Sequence, residues 1–193
     1  SRSRASGIRA IDLQEDDTLI GVIETDGSSD IMLFSSVGKA IRFSETEVRI
    51  MGRQARGVRG IKLKAGQSVI SMVVANNVDQ YILTASENGY GKCTKKSSFR
   101  IIARGGQGVI AMNITPKTGK LICAKEISEE DDIIIIADKG KLVRISTKDI
   151  SKLGRNTQGV RLIKLSDKGE KVISFQTVSS SNVEDIVESA GHE

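Results

Sequence analysis

A repeat of about fifty residues runs through this chain and constrains its fold more than any other feature. The segment SGIRAIDL at Ser6–Leu13 recurs as RGVRGIKL at Arg56–Leu63, as QGVIAMNI at Gln107–Ile114 and as QGVRLIKL at Gln158–Leu165. Gly7, Gly57, Gly108 and Gly159 follow one another at intervals of 50, 51 and 51 residues. A second marker keeps the same step. IMLFSSVGKAIRF (Ile31–Phe43), YILTASENGYGKCT (Tyr81–Thr94) and IIIIADKGKLVRI (Ile133–Ile145) place Gly38, Gly89 and Gly140 51 residues apart. A fixed period of this length marks units that each form one supersecondary block and bury their faces by stacking on neighbours.

Each unit reads as four strands. An apolar run enters a polar glycine turn and an alternating strand leaves it, which is a hairpin pattern. The glycine motif then opens a third strand, in which Val58, Gly60 and Leu63 compete for the inner face. The fourth strand is LIGVIE at Leu19–Glu24, VISMVV at Val69–Val74, LICAKEI at Leu121–Ile127 and VISFQTV at Val172–Val178. The single Pro, the 19 Gly and the 3% aromatic content agree with strands joined by glycine turns. The expected fold is therefore all-β, built from propeller-like blades of four strands. Residues 1–25 form the second half of a blade, residues 26–76, 77–128 and 129–178 form whole ones, and residues 179–193 form an acidic tail. An open arc of about three and a half blades leaves an unpaired sheet edge, so the chain reads as part of a closed ring within a longer protein. In the tail, Ser181 and Glu184 make a weak capping box, and Val183, Ile186, Val187 and Ala190 fall at helical spacing. That pattern predicts either a short docked helix or a mobile tail.

The chain carries 29 Lys and Arg against 24 Asp and Glu, for a net charge of +5. Four of those acids, Glu184, Asp185, Glu188 and Glu193, lie in the tail, which leaves 29 basic and 20 acidic residues, a net +9, over residues 1–178. Such a balance fits a polyanionic partner, because Lys and Arg that face phosphates release condensed counterions. An ordinary basic surface accounts for the charge equally well. No run approaches the ~18 apolar residues of a membrane span and the start SRSRASG has no signal-peptide core, so a cytoplasmic location without membrane contact is expected.

No catalytic constellation is present. The sole histidine is His192, there is no phosphate-binding GxxxxGK[ST] loop, and RGGQG at Arg104–Gly108 is not a GxGxxG fingerprint. Cys93 and Cys123 lack metal-ligand spacing and read as idle or buried thiols, and Asp131–Asp132 reads as a solvated turn. Neither a cofactor nor a metal is expected in this chain.

The basic residues, by contrast, keep step with the repeat. Lys39, Arg42, Lys92, Lys141 and Arg144 stand in the turns and returning strands of successive hairpins. Arg53, Arg56, Arg59, Arg104, Arg155, Arg161 and Lys164 surround the glycine motifs. Charge that recurs with the blade period forms a band at one radius, suited to a phosphate backbone that bends past it. With so few aromatic platforms for stacked bases, duplex DNA is expected in preference to single strands. Any one of these residues is as well explained as a solvated surface charge; the collective pattern carries the reading.

The segments VGKAIRF, ENGYGKCT, GVRGIKL and GRNTQGV (Gly154–Val160) resemble the family of C-terminal domains of DNA gyrase A, and the resemblance covers residues 1–178. It implies a β-pinwheel, a six-bladed disc whose neighbouring blades exchange strands, and a role in wrapping duplex DNA for ATP-dependent negative supercoiling. It further implies a bacterial, nucleoid-associated type II topoisomerase in which gyrase A joins gyrase B as an A2B2 heterotetramer, with ATP and Mg2+ used elsewhere in the assembly. The family's wrapping box, Q-[RK]-R-G-G-[RK]-G, has a degenerate counterpart at Gln54–Gly60. That segment keeps Gln54, Arg56, Gly57, Arg59 and Gly60 and departs at Ala55 and Val58. The related C-terminal domain of topoisomerase IV is a second expectation, and a protein-interaction propeller with an incidental basic surface is a third.

Overall fold

The computed structural model describes residues 7–75, 80–166 and 169–179; the tail expected to form a short helix or mobile segment lies outside them. In the first unit, β1 (Asp30–Ser35) and β2 (Lys39–Ser44) form a hairpin and β3 (Val69–Ala75) follows. The second unit holds β4 (Tyr81–Ser86), β5 (Tyr90–Lys95), β6 (Val109–Ile110) and β7 (Leu121–Ile127). The third holds β8 (Asp131–Ala137), β9 (Leu142–Ser146), β10 (Val160–Arg161) and β11 (Val172–Ser179). A 3₁₀ turn follows each hairpin, at Glu45–Glu47, Lys96–Ser98 and Thr147–Asp149, and no α-helix occurs among the described residues.

The strands assemble into three antiparallel sheets in the orders β3-β1-β2-β6, β7-β4-β5-β10 and β11-β8-β9. β3 packs on β7 and β7 on β11, so these form the inner ends of neighbouring blades. The outermost strand of each of the first two sheets comes from the following unit: β6 pairs with β2, and β10 with β5. This is the strand exchange that the family resemblance implied. A sheet thus mixes two sequence units, and each of the first two blades is closed by a strand from the unit after it. The third sheet has three strands among the described residues, not the four expected of every blade.

The exchange is held by a repeated backbone pattern. The amides of Ala111 and Met112 both donate to the Gly38 carbonyl, and those of Leu162 and Ile163 both donate to that of Gly89. Leu121 N–H likewise donates to Ser36 O, and Val172 N–H to Glu87 O. Register shifts recur where each inner pairing reaches the hairpin turn, at Phe34/Ser35, at Ala85/Ser86 and, on the β11 side opposite Ala137, at Val172/Ser174, so every inner pairing carries an irregularity at the same place.

The core lies between blades. Met32, Phe34, Ile82, Phe99, Met112 and Leu121 fill the first interface, where the Phe34 and Phe99 rings meet edge-on with centroids 6.1 Å apart. Leu83, Cys93, Ile133, Ile135, Ile163 and Phe175 fill the second. Each fully buried aliphatic side chain contributes about 1.5–3 kcal/mol, so a blade is stabilised chiefly by its neighbour.

Three expected strands are absent. The glycine motif at Ser6–Leu13 and the run Leu19–Glu24 form no strand over residues 7–29, and Ile8, Leu19, Ile20 and Val22 stand exposed. Nor does Arg56–Leu63 form one, although Ile61 is buried with Ile31, Ile41 and Phe43. β6 and β10 show what these segments lack: a hairpin of another unit to pair with. Lone strand segments without such a partner do not hold their hydrogen bonds in water.

Candidate nucleic-acid interface

The expected basic band separates into three groups. Arg42 and Lys92 are interior cations, which corrects their place in that band. Arg42 is 8% exposed; its guanidinium pairs with Asp30 at 2.7 Å and donates to the carbonyls of Lys96 and Phe99 at 3.4 and 3.2 Å. Lys92 is fully buried, and its ammonium donates to Gly154 O at 2.6 Å, Arg155 O at 2.5 Å and Thr157 Oγ1 at 3.0 Å. Burial, with the nearby Arg155 charge as the lesser cause, pushes this ammonium down to about 8. Both side chains tie a loop of the following unit to a hairpin, so their donors are already used.

A second group is anchored in part at the surface. Arg104 Nη1 donates to Arg59 O at 2.7 Å, and Arg155 Nη1 to Ile110 O at 2.7 Å. Both arginines stand four residues before a motif glycine and reach back 45 residues to the preceding unit, forming an equivalent staple in successive units. The guanidinium carbon of Arg155 also lies 5.9 Å from the Phe99 ring centroid. Arg56 pairs with Asp12 at 3.1 Å, and Arg144 with Asp132 at 2.5 Å. That pair, at the start of β8, replaces the solvated turn expected of Asp131–Asp132. Lys141 donates to Lys164 O and Ser166 Oγ, and Arg161 to the Tyr90 hydroxyl at 2.9 Å.

The third group is free. Arg53, Arg59 and Lys164 are exposed, Lys39 is half-buried, and none of their charged ends has a partner among the described residues. Arg161 and the pair Lys39–Ile110 mark the outer edge of the sheets, because β6 and β10 are the outermost strands.

The degenerate box is placed by close packing as much as by charge. Gly57 holds φ +80°, which glycine adopts freely. At Gly60 a Cβ would sit 2.2 Å from Leu33 Cδ1, so the bare backbone lets this segment lie on the first hairpin. Its carbonyl accepts from Gly105 N at 2.6 Å. Gln54, Arg56 and Arg59 are exposed, Arg56 beside Asp12.

Two residues that the repeat did not reveal join the charged surface. Lys117 Nζ lies 5.3 Å from the Tyr90 ring centroid, and the Arg161 guanidinium carbon 5.5 Å from it. Tyr90 has no like residue one period away, and Lys117 has one only in Lys168, 51 residues on, with Gly66 in the unit before, so neither shares the three-fold run of cations that periodicity selected. Cys93 and Cys123 are free and buried, their thiols pushed up by burial to about 12 and about 11, which leaves them unreactive. No group of three metal-ligating side chains, and no helix long and apolar enough to cross a membrane, occurs among the described residues.

Comparison with known proteins agrees with this architecture. The chain is 50% identical over 191 residues to the DNA gyrase A protein of Pseudomonas aeruginosa and 43% identical over 179 residues to that of Escherichia coli K12. It covers 97% and 93% of its own length in these alignments but only 20% of either relative. Among solved structures, the C-terminal domain of DNA topoisomerase IV superposes with a TM-score of 0.87 at 26% identity, covering 99% of this chain and 61% of that one. A DNA gyrase A C-terminal domain superposes at 0.78, also at 26% identity, over 89% of this chain and 58% of that one. The family described as "DNA gyrase C-terminal domain, beta-propeller" matches residues 1–26, 29–76, 80–122 and 131–179, one repeat to each segment. With its exchanged strands and stacked blades, the chain belongs to the DNA gyrase C-terminal domain family of β-propellers.

Proposed function

We propose that this chain is the DNA-holding part of a gyrase A protein, which bends duplex DNA along its blades so that the whole enzyme can introduce negative supercoils. The observation that carries this reading is the set of exposed cations without acidic partners, Arg53, Arg59 and Lys164, in a chain of this family. Such groups gain most by replacing the counterions of a phosphate backbone. They sit on a turn and on irregular segments, not on an element shaped for a groove, so the contacts read backbone and shape and not base edges.

On this reading the chain itself performs no covalent chemistry. ATP hydrolysis, with its Mg2+, belongs to gyrase B, and strand cleavage to another part of gyrase A, in an A2B2 assembly on the bacterial nucleoid. The identity of up to 50% to gyrase A proteins favours gyrase over topoisomerase IV as the parent, although the topoisomerase IV domain superposes more closely.

A gel-shift titration with a duplex of about 40 base pairs tests the reading, since bending becomes useful on that scale. For four neutralised phosphates, affinity is expected to fall about 100-fold between 50 and 200 mM salt. Replacing Arg53, Arg59 and Lys164 together by Glu abolishes the shift. Wild-type binding indifferent to salt, or unchanged in the triple variant, favours a protein-interaction propeller instead.

A further inference from the structure

One pocket gathers cations and, among the described residues, no anion. Tyr90 opens β5, and Arg161 faces it across the outermost pairing of the second blade. Lys117 comes from the loop before β7, where the Asn88 amide donates to its carbonyl at 3.0 Å and fixes the loop. Together with Lys164 these residues line a cavity of about 340 Å³, with Ile163 and Leu165 as its aliphatic wall. Among the described residues no carboxylate lines it.

The polarity of the groups is one-sided. Arg161 Nη2 donates to the Tyr90 hydroxyl oxygen at 2.9 Å, which leaves the hydroxyl proton to point elsewhere. The remaining guanidinium N–H groups and both ammonium groups are donors too, so the pocket offers donors and charge but no acidic acceptor. The fold does not require this. At the same register the first blade pairs Lys39 with Ile110 and builds the same sheet edge. Three cations held near one another without a counter-charge repel, and an oxyanion relieves that repulsion.

We propose that this pocket is an oxyanion subsite that seats one phosphate group between the Tyr90 hydroxyl, the Arg161 guanidinium and the Lys117 ammonium. The choice of a DNA backbone phosphate as occupant rests on the DNA-holding reading above; a free phosphate compound has the same chemistry. The donation from Arg161 also holds the Tyr90 phenol below its usual range, which makes its hydroxyl a stronger donor.

The test combines inorganic phosphate with a 40-base-pair duplex, using this chain and its Lys117→Gln and Arg161→Gln variants. Both positions are exposed, and circular dichroism confirms that each variant folds. Phosphate is expected to shift the backbone amides of Tyr90, Lys117 and Arg161 in the wild type and to leave them unmoved in the variants. Each variant is expected to bind duplex about 3- to 10-fold more weakly, with a salt slope smaller by about one. Phosphate-dependent shifts without any change in duplex binding support the subsite and assign it to a free phosphate compound. Absence of shifts, with variants that match a duplex-binding wild type in affinity and slope, overturns the subsite and leaves the DNA-holding reading intact. Failure of the wild type to bind duplex even at low salt removes that reading, and the phosphate shifts alone then decide for or against the subsite.

Discussion

The first and third hairpins share one pattern, Gly-Lys followed by two apolar residues and Arg, at Gly38–Arg42 and at Gly140–Arg144, yet they end in different surroundings. Beside the first hairpin lies β6, and the turn after the second hairpin closes over Arg42. Among the described residues no strand pairs with the outer side of β9. Its strand is largely open, with Leu142 59% exposed, whereas Ala40, Ile41 and Phe43 in β2 are buried. The arginines follow suit: the Arg42 side chain is 9% exposed beside Asp30, and that of Arg144 is 52% exposed beside Asp132. The same residues make the same cross-strand pair in both blades, so what differs is supplied by the following unit. In this protein burial is a property of neighbouring blades more than of any single hairpin.

Paired substitutions put that contrast under strain. Arg42→Gln leaves Asp30 half-paired and removes the donor to two carbonyls, for an expected loss of about 3–5 kcal/mol, while Arg144→Gln costs less than about 1 kcal/mol. Urea unfolding midpoints report both, and equal losses break the comparison. Next come the turn glycines, all at positive φ. A Cβ on Gly38 would lie 2.2 Å from Met112 O, whereas one on Gly140 meets nothing within 4 Å. Gly38→Ala is expected to cost about 3 kcal/mol through strain and displacement of the exchanged strand, and Gly140→Ala about 1 kcal/mol through φ alone. Similar losses at both glycines show that the exchanged strand is not what fills the first turn.

The smallest effect sharpens the contrast through pH. The position of Lys92 is held by Ile41 in the first hairpin and Val143 in the third, so only the second buries a charge there. The folded ammonium gives up its proton near pH 8, while the unfolded one keeps it to about 10.4. Between these values the unfolded chain binds more protons, so stability rises with pH, by at most about 1.4 kcal/mol per unit. Lys92→Met is expected to flatten that rise and to leave duplex affinity unchanged. A persistent rise assigns it to another group, and lost affinity returns Lys92 to the DNA-contacting set.

The hairpins and inner strands were legible in the chain because each carries its own signal: an apolar run, a glycine at fixed spacing and a returning alternation. Segments Leu121–Ile127 and Val69–Val74 became β7 and β3 nearly to the residue. The glycine strands were harder, since the period is the same whichever hairpin a strand joins. Only the backbone bonds from Ala111 and Leu162 to Gly38 and Gly89 show that they cross to the preceding blade. The cations were legible in sign and spacing but not in use. The acceptors of Lys92 lie 62 to 65 residues further on, and those of Arg104 and Arg155 45 residues back.

The amino-acid sequence alone therefore determined the repeating unit, its four-strand grammar and its excess of positive charge, because periodicity and composition are local or additive. Tertiary structure decided which blade each glycine strand completes, which arginines and lysines reach solvent, and that Tyr90, Lys117 and Arg161 meet. Those outcomes depend on contacts between units tens of residues apart, where the cost of burying a charge is set by the oxygen atoms a neighbouring blade happens to bring.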